Sequence, residues 1–491
     1  MRLASQMAPE SQMALMDRRR FLSGASLALG SGVAGALAPR MLLAAGFPTQ
    51  PLKPDYTLKI QPCNLEIAPG VVVKTTAYNG QVPGPVLRLR EGVPVTIDVT
   101  NASANADIVH WHGLAIDSRN DGAMEEGSPM IAPGATLRYS YTPRPSGTRW
   151  YHTHAGAGGD LTLGTYSGQF GFLLIDGAPD AGHYDQEIFL AIHHWGPSFV
   201  PMVETMRAES QNHPLTPGSD VGYQYATVNQ HMLGAGEPIR VKQGQRVLMR
   251  LLNASATENV VLALPGHTFK VIAMDGNPVP NPAAVEALSL AVAERVDAVV
   301  EMNAPGVWVL GSTLAEARKM GLGVVVEYAG KGGPPVWTDP NVGATPAKWD
   351  YGQFAATTPA AAPDETVTLT FRDIGPQKGS KFDPRFDVWT INNKSWPDVD
   401  PIQVTKGKRY RFLLRNGSGD QHPIHLHRHT FEVAQIGRTQ LSGLRKDVIN
   451  LMPLETVAVD FTADNPGDTL LHCHQQLHMD YGFMTIVKYT A

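Results

Sequence analysis

The chain has 491 residues, room for three domains of ordinary size, and its 48 glycines and 38 prolines favour many short strands joined by turns over long helices. A formal charge of −5 without any lysine-rich block argues against a nucleic-acid partner. Two cysteines, Cys63 and Cys473, are too few for a disulfide framework.

The N-terminus carries Arg18-Arg-Arg-Phe-Leu22 ahead of an apolar, Ala/Gly-rich run from Ala25 to Ala38. This looks like a twin-arginine signal, and the run is too short and too weakly hydrophobic for a membrane span. Residues 1–46 are therefore expected to be a cleaved signal peptide that engages the Tat export machinery, placing the mature protein in a bacterial periplasm or outside the cell. Residues 1–45 hold five basic side chains and two acidic ones, so the remaining chain carries −8.

Three internal copies follow. In each, a glycine is succeeded nine residues later by an asparagine in Asn-x-Ser: Gly92 to Asn101, Gly244 to Asn253 and Gly407 to Asn416. The intervening residues alternate as strands do, over Val93–Val99, Gln245–Leu251 and Lys408–Leu414. Nine and eleven residues beyond the asparagine stand His110 and His112 in the first copy, Leu262 and Leu264 in the second, and His425 and His427 in the third. Five and seven residues after a second turn glycine stand His152 and His154, then Gly311 and Thr313, then His472 and His474. The outer domains thus carry metal-binding side chains and the middle one does not. The expected boundaries are 47–178, 179–330 and 365–491, with 331–364, rich in Gly, Pro and Ala, as a linker.

Four His-x-His pairs, one of them wrapped around Cys473, form a copper inventory. In an extended strand residues i and i+2 share a face, so His472 and His474 reach one centre while Cys473 reaches another. The motifs His110-Trp-His-Gly113, Trp150-Tyr-His-Thr-His154, His422-Pro-Ile-His-Leu-His427 and His472-Cys-His-Gln-Gln-Leu-His478 stand in the order seen in three-domain multicopper oxidases, a family that the chain resembles from about residue 50 to its end. The resemblance implies an all-β fold of three consecutive cupredoxin-like Greek-key sandwiches or barrels. It also implies four coppers. A type 1 copper would take His422, Cys473 and His478. Type 2 would take His110 and His425, and the type 3 pair His112, His152, His154, His427, His472 and His474.

The same resemblance bears on three further positions. Asp121, in Asn120-Asp-Gly122, stands where the family commonly has an acid near the cluster, which implies a proton-supply and hydrogen-bonding role, although the pair also suits an ordinary Asp-Gly turn. Some relatives have a glutamate where this chain has Gln476 or Met479, which leaves a second proton relay unassigned, with Asp480 a weak candidate. The axial position of the type 1 copper falls ten residues after the cysteine, on Phe483, which has no ligating atom; a register slip of one would substitute Met484.

Other features support smaller expectations. Thr313-Leu-Ala-Glu316 is a capping box that starts a helix. Cys63 is expected to be a buried free thiol. His193 and His194 are assigned structural or surface roles, and His429 packing or support of the neighbouring ligands. The methionines, Met202, Met206 and Met232 among them, serve core packing, since no methionine-rich insertion is present. The function implied is a laccase-like oxidase, expected to be monomeric. It would take single electrons from phenols or aromatic amines, with His478 nearest the donor, and reduce O2 to water. The alternatives are an oxidase of cuprous or ferrous ions and, in another class, a copper-sequestering protein without turnover.

Overall fold

The computed structural model describes residues 53–177, 182–201, 219–340, 349–377 and 381–490; the twin-arginine segment, Met202 and Met206 lie outside the described residues. Antiparallel and parallel strands make three β-sandwiches in succession, and Lys53 onward clusters as one unit. In the first, a four-stranded sheet faces a second one ordered Gly84–Arg90, Phe170–Asp176, Gly147–Thr153, Val109–His112. Leu58, Ile60, Ile97 and Val99 from one sheet meet Leu89, Trp111, Tyr151 and Leu173 from the other in the core. The middle and third sandwiches pair sheets of six and five strands, and of seven and five. Their apolar interiors are continuous, running from Val247 and Leu262 to Phe412 and Cys473. No helix among the described residues is long and apolar enough to cross a membrane.

The repeat has a physical basis that is the same in all three copies. The predicted strands form as Val95–Asn101, Arg246–Asn253 and Arg409–Asn416. Each closing asparagine donates its amide to two backbone carbonyls, from Asn101 to Asn105 and Ile131, from Asn253 to Glu258 and Leu290, and from Asn416 to Asp420 and Met452. Its carbonyl accepts from the serine two residues on. Asn-x-Ser therefore pins the crossing from one sheet to the other with bonds the backbone cannot otherwise make there. The turn glycines Gly92, Gly244 and Gly407 all have φ between 75° and 86°, a conformation that penalises a Cβ.

The structure corrects two expectations. A short helix forms at the place of the predicted capping box, but it spans Ala315–Lys319 with Leu314 at its cap and no side-chain cap bond. Thr313 is held instead by its own N–H, which donates to Val261 and keeps that residue in the sheet margin. Cys63 is free but only partly buried, in the stretch of its strand between the buried Ile60 and Leu65; its Sγ donates to the carbonyl of Gly80 at 3.2 Å. The described parts of 331–364 pack against the sandwiches: Val336 bridges Trp308, and the 3-10 turn Tyr351–Phe354 buries both aromatics, with Tyr351 Oη donating to Glu294 at 2.6 Å.

Candidate metal centre

Strand pairing brings the histidine pairs together. His110 lies opposite His152 where Val109–His112 pairs with Gly147–Thr153, and His425 lies opposite His472 where His422–Leu426 pairs with Thr469–Cys473. The first and third sandwiches present these strand ends to each other, so that eight buried imidazoles form one cluster with neighbouring ring centroids 3.8 Å (His112 and His425) to 6.2 Å (His152 and His154) apart. At the equivalent place in the middle sandwich Leu262 pairs with Ser312 and Ala263 with Gly311, one residue out of step with the outer copies. Those side chains offer no histidine or cysteine to a metal.

The ring nitrogens divide into two sets. On one side, Nδ1 of His110 donates to Asp121 O, of His152 to Thr153 O, of His425 to Asp447 O, of His427 to Asp121 Oδ2 and of His472 to Cys473 O, all at 2.7–2.9 Å. On the other side, Nε2 of His110, His152, His154, His425 and His474 is buried and meets no protein partner, and Nε2 of His427 faces Nε2 of His472 at 3.0 Å. Burial holds His112, His152, His154, His425, His427, His472 and His474 well below the usual histidine range, and neighbouring imidazoles push most of them the same way. They are neutral, with lone pairs aimed inward. Orphaned buried nitrogens are costly unless something binds them, and a ring whose other nitrogen is anchored is the ordinary arrangement of a metal ligand. The donor set fits copper.

A second group lies beside the first. His422 Nδ1, His478 Nδ1 and Cys473 Sγ form a triangle with sides of 3.2, 3.6 and 3.8 Å. A point equidistant from the three atoms lies about 2.1 Å from each, within the roughly 2.0–2.3 Å of metal bonds to imidazole and thiolate. Burial pushes the Cys473 thiol up, so its proton leaves only when a cation replaces it. Ser418 Oγ holds His422 Nε2 at 2.7 Å, whereas the His478 ring packs at 4.1 Å on Trp389. Cys473 lies between His472 and His474 in the chain, so the two groups are joined by a few covalent bonds.

Phe483 is fully buried, with its ring 4.9 Å from that of His422 and 5.9 Å from that of Trp389. Met484 begins the Met484–Thr490 strand opposite His472 and turns into a separate apolar cluster with Ala123, Leu470, Met479 and Ile486. The two neighbouring side chains thus enter different clusters.

Asp121 ends a single-turn helix, Ser118–Asp121, and is buried under the cluster; its Oδ2 is 2.8 Å from His427 Nδ1 and 3.2 Å from His110 Nδ1. The glycine that follows is required by this approach. Gly122 has φ 90°, and a Cβ there would lie 1.8 Å from Val109 O. Glu126, which sequence reading passed over, lies 3.3 Å from His427 Nδ1 and accepts the N–H of Leu470 at 2.6 Å. Burial, together with the Asp121 charge, pushes its carboxyl well above the usual range. Asp480 accepts from the N–H groups of Ala157 and Gly158 and from Gln476 Nε2, and burial raises it to about 6. Gln476 also accepts from Thr165, closing a small cavity lined by His152, His154, His472 and His474.

Three of the other histidines have structural partners. His193 Nδ1 donates to Ala254 O, His194 Nδ1 bonds Ser255 Oγ, and His429 lies between His427 O and Tyr489 Oη. Met232 packs against a core cluster that contains Trp195 and Leu252.

Three family models described as multicopper oxidase match residues 59–180, 207–326 and 368–491. The chain belongs to the multicopper oxidase family. It is 31% identical to the multicopper oxidase MmcO of Mycobacterium tuberculosis, over 96% of this chain and 97% of that protein. It is 28% identical to Laccase-1 of Botryotinia fuckeliana, over 88% of this chain and 81% of that protein. A multi-copper oxidase structure from Pseudomonas thermotolerans superposes with a TM-score of 0.67 at 25% identity, covering 89% of this chain and 98% of that one. The three sandwiches are accordingly cupredoxin-like, and the protein is a copper-dependent oxidoreductase that uses O2 as acceptor and four coppers of types 1, 2 and 3.

Proposed function

We propose that the protein is a laccase-type oxidase acting on phenols and aromatic amines. Its type 1 copper would be held by His422, Cys473 and His478, and its trinuclear cluster by the eight clustered histidines. The 3.2–3.8 Å triangle beside inward-facing, partnerless nitrogens is the observation that carries the assignment. His110 and His425 take type 2, while His112, His152 and His474 on one side and His154, His427 and His472 on the other take the type 3 pair. Bound copper supplies the one-electron oxidations and the four-electron reduction of O2 to water. His478 is the side chain nearest an incoming donor. Cys473 is both ligand and covalent link to His472 and His474. Asp121, which accepts from His427 Nδ1 through Oδ2, is the proton-supplying acid beneath the cluster. The sequence also supports export through the twin-arginine route, on Arg18-Arg-Arg20.

Flat aromatic donors suit His478 because its ring packs against Trp389 and the chain has no methionine-rich insertion. Steady-state rates on copper-loaded protein with substituted phenols, cuprous ions and ferrous ions test this. Phenols should show the highest kcat/KM. Turnover of the metal ions alone would replace the reading with a metal-ion oxidase.

The axial position carries its own expected result. Phe483→Met would bring a thioether toward the copper, stabilise Cu(II) more than Cu(I) and lower the type 1 potential. High-potential phenols would then slow before easier donors. Met484→Leu should change the potential much less, since that side chain packs with Leu470 and Ile486. Redox titration of the blue absorption band in both variants decides: a large shift from Met484→Leu and none from Phe483→Met would make methionine the axial ligand.

A further inference from the structure

The middle sandwich holds none of the clustered histidines, yet one of its arginines reaches the back of the cluster. Asp447, on the third sandwich just before Val448–Leu451, puts Oδ1 3.1 Å from His112 Nε2 and 2.7 Å from Arg295 Nη1. Its Oδ2 accepts from Arg295 Nη2 at 2.6 Å and from Arg149 Nη1 at 3.4 Å, and its backbone carbonyl accepts from His425 Nδ1 at 2.7 Å. Arg149 comes from the first sandwich and Arg295 from the middle one, and the side chains of Asp447, Arg149, Arg295 and His112 are all fully buried. The backbone is shaped to admit them. Gly113, which follows His112 with φ 84°, would place a Cβ 2.6 Å from Asp447 Oδ2 and 2.9 Å from Arg295 Nη2.

This carboxylate has a consequence for the metal-facing nitrogen. Among the clustered histidines with an anchored nitrogen, five are anchored through Nδ1, which leaves Nε2 to face inward. His112 is reversed: Nε2 is taken by Asp447, and its Nδ1 is the buried atom without a protein partner. A two-point guanidinium–carboxylate pair fixes the plane of the carboxylate as well as its position. We propose that Arg295, acting through Asp447, is a positioning residue for the trinuclear cluster, so that the copper-free middle domain selects which His112 nitrogen is offered to copper and steadies His425 beside it.

The inference rests on the ligand assignment above, and the test separates the two. Removing one partner alone would leave a buried charge unpaired and could unfold the chain, whereas replacing both by apolar groups of similar volume is often tolerated; Arg149, the third group on this carboxylate, keeps Asp275 O, Ser146 O and Asn277 Oδ1 as acceptors when Asp447 is replaced. The doubles Arg295→Met with Asp447→Leu, and Arg295→Met with Asp447→Asn, are therefore compared as copper-loaded protein. Both lack the ion pair, but only the asparagine keeps an oxygen that accepts from His112 Nε2. Copper per chain after graded chelator dialysis, the blue band and the type 2 electron paramagnetic resonance signal are read together. The leucine double should keep its blue band and lose cluster copper at chelator concentrations on the order of 10–100-fold lower than wild type, as outer ligand partners do when removed. The asparagine double should recover only part of that retention, because its oxygen accepts from His112 Nε2 but no guanidinium fixes its plane; full wild-type retention there would show Arg295 to be dispensable and overturn the inference. Wild-type retention in the leucine double would overturn the inference. So would loss of the blue band and the cluster together in both doubles, since the network would then support only the fold. A wild-type protein that fails to hold four coppers would overturn the ligand assignment itself, and the inference with it.

Discussion

Replacing Cys473 by serine should abolish the intense blue absorption and almost all turnover while the cluster stays largely occupied. The absorption arises from charge transfer between thiolate and copper, and a hydroxyl is a poor ligand that does not supply it. The same sulfur is the covalent link between the donor-facing centre and the two histidines that flank it. Cluster occupancy should persist because the cluster nitrogens are anchored by groups that do not include Sγ: His472 Nδ1 donates to the backbone carbonyl of residue 473, and His474 is tied by its N–H to Pro423 O. The cavity left by the change is small, since sulfur and oxygen differ little in volume. Copper analysis together with the optical spectrum and oxygen uptake checks the result. A variant that kept its blue colour, or most of its oxidase rate, would show that the triangle of His422, Cys473 and His478 is not the type 1 centre.

The division between what sequence reveals and what it hides follows from the physics of each residue. Strand alternation and the repeat spacing are local, so the Asn-x-Ser closure, the facing of His472 and His474 away from Cys473, and the turning of Met484 from Phe483 are all readable along the chain. Local logic also misplaced the cap of the Ala315–Lys319 helix, because the Thr313 N–H is claimed by Val261 from a strand fifty residues earlier in the sequence. The residues behind the cluster were the least visible. Asp447, Arg295 and Arg149 belong to three different sandwiches, and each alone resembles an ordinary charged residue in a strand. Only their complete burial, on contacts that span 152 and 298 positions in sequence, shows that they act together. Glu126 was missed for the same reason: its partners His427 and Leu470 lie in the third sandwich. Adjacent charged residues of opposite sign at strand ends, as in Glu294-Arg295 and Lys446-Asp447, are the available signal.

Removing the ring of His425 should separate electron entry from oxygen reduction. Its Nε2 is one of the partnerless inward nitrogens and its plane stacks at 3.8 Å and 12° on His112, so His425→Ala deletes a ligand and the support of its neighbour together. Type 2 copper should be depleted and oxygen uptake should fall by orders of magnitude. His422, Cys473 and His478 keep all their own contacts, so a phenolic donor should still bleach the blue band under argon. Readmitting air should then fail to restore it at the wild-type rate, and His110→Ala should behave alike. His193→Ala provides the contrast. His193 is just as buried, and burial lowers it to about 4, but its ring packs on Phe170 and Trp195 rather than on the clustered imidazoles. That variant should lose thermal stability through the cavity it creates and keep its full copper complement. Metal analysis after dialysis, paired with the anaerobic bleach and reoxidation, reads both variants. Loss of copper from His193→Ala would overturn the metal-free middle domain, and normal reoxidation in His425→Ala would remove that histidine from the cluster.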